Sequence, residues 1–355
     1  ALGSLADGRY SAIVSCDREV AVVSNFSDAD SGAAYGGFAT AEVAGTLYAP
    51  GLYKDYYGFN SNVVVQNAGT APATIDFVVY AQGNPTPVLS VQETNVAPGT
   101  SVSFDQAAQA LPSGLLSAVV TGSEPIAAVG QINNPVQMYS YNGFSGGSLV
   151  AYAPSLFNDY YGWNTSVTVL NMGTGPTGLT VTYSNGAVET ATVGAKDFFF
   201  SYTPNVVGIG PGSLVSAKFE SDTEDIVVLV NESNAINRAA SYNGFAVGAQ
   251  KWVAPIIMKG YYSYDTAITC QNISGAAADV TVTYSNGWSE SVTGVAAGQT
   301  ALFYQPNAAG LPANFNGSAV IDSTQDVVCI VNENQESNPA SGDWLFSYNT
   351  IPQAP

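Results

Sequence analysis

The chain of 355 residues repeats itself, and the phase of that repetition limits what it can fold into more than any single motif does. A front segment opens at Tyr48-Ala49-Pro50, at Tyr152-Ala153-Pro154 and at Val253-Ala254-Pro255. An aromatic cluster follows each time: Tyr56-Tyr57-Gly58-Phe59-Asn60, Tyr160-Tyr161-Gly162-Trp163-Asn164 and Tyr261-Tyr262-Ser263-Tyr264-Asp265. Next come Val63–Asn67, Val167–Asn171 and Ile268–Asn272, which read as strands, and then Val181-Thr182-Tyr183 and Val280–Tyr284, where apolar residues alternate with Thr as on a half-buried strand. Ser-Asn-Gly at 184–186 and 285–287 is a hairpin turn, since Asn and Gly accept positive φ.

A back segment opens with Ser-Ala at Ser11, Ser117, Ser216 and Ser318. It runs through an apolar strand to a closing Tyr-x-Gly-Phe at Tyr35, Tyr141 and Tyr242, degenerate in the last copy at Phe346–Asn349. A full unit of about 100 residues holds about seven or eight short strands, the size and strand density of an immunoglobulin-like sandwich. The expected fold is all-β: three tandem sandwiches at 47–149, 150–249 and 250–355, preceded by an orphan back half at 1–46. The connectors near 46, 149 and 250 are short, so neighbouring units should hold a restricted orientation while each keeps its own stability.

Half a sandwich leaves an apolar face and open strand edges. The candidate assembly residues Ile13, Val14, Val20, Val22 and Val23 therefore need cover from strands of the next subunit, from docking on the first full unit, or from a portion missing by truncation. Strand addition from a neighbour would propagate head to tail as a polymer.

Taken together, Ala-Pro, Tyr-Tyr-Gly-Trp-Asn, Val-x-Val-x-Asn, Val-Thr-Val-Thr-Tyr, Ser-Ala and Tyr-Asn-Gly-Phe resemble the uncharacterised tandem β-sandwich repeats of large secreted proteins from filamentous bacteria. The resemblance spans nearly the whole chain and implies a secreted, cell-surface, modular protein. It implies no activity and no catalytic residues.

Composition narrows the chemistry. With 8 Lys and Arg against 27 Asp and Glu, the net charge is −19, which opposes nucleic acid and anionic lipid as partners. No apolar run reaches the ~20 residues of a membrane helix. The absence of His removes the usual general base and the Ser-His and Cys-His pairs. No catalytic residue is assigned, and the chain reads as a non-enzyme. No cofactor is expected, although Asp28–Gly32 and Glu220–Asp225 offer closely spaced oxygens that either bind Ca²⁺ or form plain Asx-rich turns. The aromatic clusters either stack on surface glycans or plug the ends of the sandwiches. Sequons at Asn25, Asn164, Asn231, Asn272 and Asn316 are candidate glycosylation sites. The sequence thus points to a structural subunit of an extracellular filament, sheath or surface layer, with an adhesin or carbohydrate-binding protein as the alternative.

There are 3 cysteines. Cys270 aligns with Val65 and Val169, and Cys329 with Ala128 and Val228, all small apolar strand positions, so their sulfurs should either bond across the core of the last unit or remain two buried thiols. Cys16 aligns with turn residues and should be exposed, free or bonded to another chain. Under denaturing, non-reducing conditions a maleimide should label Cys16 at most; labelling of Cys270 and Cys329 would exclude the bridge.

Overall fold

The computed structural model describes residues 10–28, 30–335 and 342–353. An N-terminal hairpin pairs β1 (Val23–Ser27) with β2 (Gly32–Gly36). The first unit comprises β3 (Ala44–Lys54), β4 (Asn60–Asn67), β5 (Ala73–Ala81), β6 (Pro87–Val96), β7 (Ser101–Asp105), β8 (Gly114–Asn133) and β9 (Met138–Asn142). The second comprises β10 (Val150–Asn158), β11 (Trp163–Asn171), β12 (Thr177–Tyr183), β13 (Val188–Val193), β14 (Phe198–Tyr202), β15 (Ser213–Ser221), β16 (Ile226–Asn234) and β17 (Ala239–Asn243). The third comprises β18 (Ala249–Lys259), β19 (Asp265–Asn272), β20 (Ala278–Tyr284), β21 (Ser289–Val295), β22 (Thr300–Tyr304), β23 (Phe315–Asn334), β24 (Leu345–Asn349) and β25 (Ile351–Pro352).

Each unit is an antiparallel sandwich. In the second, one sheet runs β10-β15-β12-β13 and the other β14-β11-β16-β17. The 20-residue strands β8 and β23 cross between sheets, doing alone what β15 and β16 do separately. Strand number and layering are immunoglobulin-like; the order is the repeat's own, because the first strand pairs beside the sixth rather than beside the second.

Two motifs at opposite ends of a unit lock together. Proline has no N–H for the ladder, and the register breaks between Ala153 and Leu156 and between Ala254 and Ile257, where the Ala-Pro motif lies. In the second and third units the closing tyrosine fills the break: Ser155 N donates to Tyr242 Oη at 3.2 Å, whose hydroxyl donates to Ser155 O at 2.5 Å. Tyr348 repeats the pair with Ile256 at 3.2 and 2.6 Å. The asparagine ending Val-x-Val-x-Asn is likewise structural. Asn67, Asn171 and Asn272 are fully buried, their amides donating to carbonyls of the following turn and of a neighbouring strand end.

The units are not independent beads. Along β16, Ile226, Val228 and Val230 enter their own core, while Val227 and Leu229 pack into the first unit's core; the cores of the second and third units are continuous. The serines of three of the four Ser-Ala motifs latch neighbours together, with Ser117 Oγ donating to Lys196 O at 3.0 Å and Ser216 and Ser11 donating to the equivalent carbonyls of Gly298 and Gly99.

The last strands of the units and of the hairpin close a ring, in which β2 and β17 each pack against both β9 and β24. Asn243 Nδ2 donates to Asn142 O at 2.8 Å while Asn142 N donates to Asn243 Oδ1 at 3.2 Å. Asn349 does the same to Asn243 at 2.6 and 3.0 Å, and Asn142 Nδ2 donates to Gly36 O at 2.9 Å. Gly36 stands where the fourth asparagine would be, so the last contact closes differently. Gly32 N donates to Asp343 O at 2.9 Å, Asp343 N donates to Asp30 O at 2.8 Å, and any side chain on Gly32 would strike the Phe346 ring at 2.7 Å. The buried Asp343 carboxylate accepts from Met138 N (2.8 Å) and Ala239 N (2.7 Å), joining the starts of three ring strands.

The N-terminal half therefore docks within the chain, between β9 and β24. Its strand begins only at Val23: Ile13, Val14 and Val20 lie outside any strand and are exposed, and Val22 is half-buried just ahead of β1. No strand forms at 12–14, where the front strands that would flank one are absent.

The ring predicts that Asp343→Ala, which strands two or more buried backbone N–H groups at about 1–3 kcal/mol each, destabilises the whole chain in one cooperative transition. Thermal unfolding followed by circular dichroism should show a single lowered midpoint, not one weakened unit among unaffected ones.

Candidate functional site

The aromatic clusters form three equivalent tips. In each, two residues at positive φ make a two-residue hairpin turn of the mirror-image type: Tyr57 (49°) and Gly58 (81°), Tyr161 (50°) and Gly162 (81°), Tyr262 (48°) and Ser263 (70°). Tyr56 and Phe59 exchange N–H···O bonds of 3.1 and 2.9 Å across the first, and Tyr160–Trp163 and Tyr261–Tyr264 repeat the pattern. The final Asn or Asp of the motif accepts from the residue before the cluster, in Asp55 N to Asn60 (3.0 Å), Asp159 N to Asn164 (2.9 Å) and Gly260 N to Asp265 (2.8 Å). A bulky aromatic at positive φ is strained, yet the ring so placed is exposed each time, at 84% for Tyr57, 87% for Tyr161 and 77% for Tyr262. The clusters are thus neither end plugs nor fully free rings: the flanking aromatics are half-buried and hold one tyrosine in solvent.

Beneath the Tyr161 tip lies a cleft of about 500 Å³ between the second and third units. Phe157, Tyr160, Tyr161 and Trp163 come from one side, Thr269, Tyr304 and Asn332 from the other. Phe157 and Tyr160 stack with centroids 5.7 Å apart. Glu232, fully buried, also lines the cleft; its Oε2 accepts from Asn332 Nδ2 at 2.8 Å, while Oε1 has no hydrogen-bond partner among the described residues. Burial pushes its carboxyl up to about 8, against the pull of the Asn332 and Ser155 side chains.

The other unit boundaries solve the same position differently. Between the first and second units, Ile132 stands in place of Glu232, and Asn231 donates to the buried Tyr53 hydroxyl at 3.1 Å. Between the third unit and the N-terminal hairpin, Asn25 donates to Glu333 at 3.0 Å, and burial raises that carboxyl to about 8 as well. Asp343 is also pushed up to about 8 by burial, partly offset by its backbone N–H donors and by Arg238. None of these acids was singled out from the sequence. The available signal was the pair Asn231-Glu232 and Asn332-Glu333, a carboxylate closing an apolar run at the same place in two copies.

The other sequence candidates fall as follows. Asn231 and Asn272 are buried with their amides engaged, so a folded chain offers neither to a glycan; Asn164 serves its turn, Asn25 binds Glu333, and Asn316 is exposed. Cys270 and Cys329 are disulfide-bonded, but as register partners on β19 and β23 with Cα atoms 4.1 Å apart. The bridge lies within one sheet, not across the core, because β19 and β23 are neighbours in this strand order. Cys16 is exposed. Asp28 Oδ1 is spent accepting from Asp30 N, Ser31 N and Ser31 Oγ, and Glu224 accepts from Gly175 N at 2.9 Å, both turn chemistry; among the described residues no metal-ligating group of three occurs. No described helix is long and apolar enough to cross a membrane.

No family model and no curated protein matches the chain. Among solved structures, "Crystal Structure of Thermotoga maritima 1070" aligns at 15% identity and a TM-score of 0.25, over 28% of this chain and 94% of that one.

Glu232 and Glu333 tie adjacent units while holding protons that the unfolded chain releases near 4.5. Their contribution is fully present below 4.5 and disappears as pH rises through about 8. The unfolding midpoint should therefore fall across that interval, and Glu232→Gln with Glu333→Gln should flatten the slope. An unchanged slope in the double variant would show that these carboxyls do not govern it.

Proposed function

We propose that the protein is a structural subunit of an extracellular surface assembly that receives a front half-repeat from a second polypeptide. One observation carries this reading: β1 pairs with β2 on one edge, and among the described residues no strand pairs with the other. In every full unit the equivalent strand is covered on that side, by β4, β11 or β19. The register leaves the N–H groups of Val23, Asn25 and Ser27 on the open edge, because Gly37 N bonds Val22 O and Asp28 N bonds Ser31 O on the other. Such an edge accepts an extended segment by strand addition. Exposed Tyr10, Ile13, Val14 and Val20 are apolar surface that a completing half would cover.

A second reading, adhesion to surface glycans, is favoured by the three strained, exposed tyrosines. Aromatic faces held clear of the surface, with a polar hydroxyl, suit stacking on sugar rings.

A peptide of residues 163–171, the strand that covers β16, should bind the intact chain saturably. Ser27→Pro, which removes one open-edge N–H while sparing the β2 ladder, should weaken binding about tenfold or more. Electron microscopy of the native material should show ordered polymers. A chain that ignores the peptide and stays monomeric at every concentration would end the assembly reading. Loss of glycan-array binding on replacing Tyr57, Tyr161 and Tyr262 by Ala would support the second.

A further inference from the structure

We propose that the cleft between the second and third units is a binding site for one or two sugar rings, with Glu232 donating a hydrogen bond to a ligand hydroxyl. The proposal rests on the glycan-contacting reading and narrows it to one of the unit boundaries.

The cleft's volume of about 500 Å³ is in the range of small-molecule pockets. Its wall is divided as a sugar requires. Half-buried Tyr160 and Trp163, the first stacked on the buried Phe157, offer aromatic surface for the apolar face of a pyranose, while half-buried Asn332 and the buried Thr269 and Glu232 offer polar groups for its hydroxyls. A buried carboxyl with an unanswered oxygen is costly. Glu232 Oε1 has no partner at hydrogen-bond geometry, only the Ser155 side chain beside the carboxyl, and the residue lines a space large enough for a ligand. Held protonated by burial to about pH 8, the carboxyl can supply an O–H to a neutral acceptor, and no charge on the ligand is needed. A neutral ligand also suits a chain carrying a net charge of −19, which repels anions.

The repeat contains its own control. At the preceding boundary the equivalents of Phe157 and Glu232 are Tyr53 and Ile132; the Tyr53 hydroxyl takes the asparagine's amide, and both residues are buried. That pair is therefore a solution this architecture already folds with, and transplanting it to the second boundary removes the unanswered carboxyl without adding a chemistry foreign to the fold.

The experiment uses the full chain and follows Trp163 fluorescence and saturation-transfer NMR with glucose, galactose, N-acetylglucosamine and cellobiose. At least one should bind saturably at pH 6. The Phe157→Tyr, Glu232→Ile double variant should lose binding about tenfold or more, the effect of one buried hydrogen bond and the filled space. Glu232→Gln, which keeps a donor, should retain most of it. Binding should also weaken as pH rises through about 8 in the native chain. Failure of all four sugars to bind, or equal binding by the double variant, overturns the proposal. If glycan-array binding survives the double variant but is lost with Tyr57, Tyr161 and Tyr262 replaced by Ala, the cleft is wrong and the adhesive tips stand.

Discussion

A strand with both faces buried has no side to spare for water, and β16 is such a strand. Ile226, Val228 and Val230 belong to its own sandwich, and Val227 and Leu229 to its neighbour's. In an ordinary antiparallel sandwich the outward residues would be polar. Here they are apolar because the first sheet of the preceding unit lies on them, and the rest of the arrangement follows. Units packed face on face bring their last strands together, so that β2, β9, β17 and β24 meet in a ring. The Asn142, Asn243 and Asn349 side chains then act as surrogate peptide groups between strands that cannot hydrogen-bond directly.

Closure makes the N-terminal hairpin part of the protein's body. Its half-repeat is stabilised by β9, by β24 and by Asp343, whose main chain and carboxylate bridge the hairpin and the unit ends. What remains open among the described residues is the side where a front half would sit, seen as the unpaired edge of β1 and the exposed Ile13, Val14 and Val20. The ring explains how a half-sandwich can be ordered while still offering a strand edge, two properties that are incompatible in an isolated half.

The unit boundaries are chemically graded although the architecture repeats. A tyrosine hydroxyl, a carboxyl lining a cleft and a second carboxyl answer the same asparagine at successive boundaries, at Tyr53, Glu232 and Glu333. Repetition fixes where the asparagine points; the unique residue opposite it decides whether the boundary is packed solid or hollow. The tyrosine tips show the reverse. There the same strained turn recurs with Gly58, Gly162 and Ser263 as its second residue, and the exposed ring is kept.

Much was legible in the sequence because strand alternation and turn chemistry act locally. The Val-Thr-Val-Thr-Tyr pattern and the Ser-Asn-Gly hairpins depend on residues close along the chain, and so did the assignment of all-β sandwiches. The exposed tyrosines were harder: an aromatic before a strand looks the same whether it plugs a core or rides a turn, and only the positive φ at Tyr57, Tyr161 and Tyr262 separates the cases. Strand order is non-local, so the cysteines' pairing could be suggested by alignment while its geometry could not. Cys270 and Cys329 lie side by side because β19 and β23 are neighbours in this topology. The ring was beyond reach for the same reason. Nothing local marks Asn142, Asn243, Asn349, Asp343 or Glu232, whose roles arise only when packing brings residues about a hundred positions apart into contact. Sequence settled the all-β class and the alternation of the repeated strands; the tertiary structure decided what covers each face, because burial belongs to the neighbours a residue acquires and not to the residue itself.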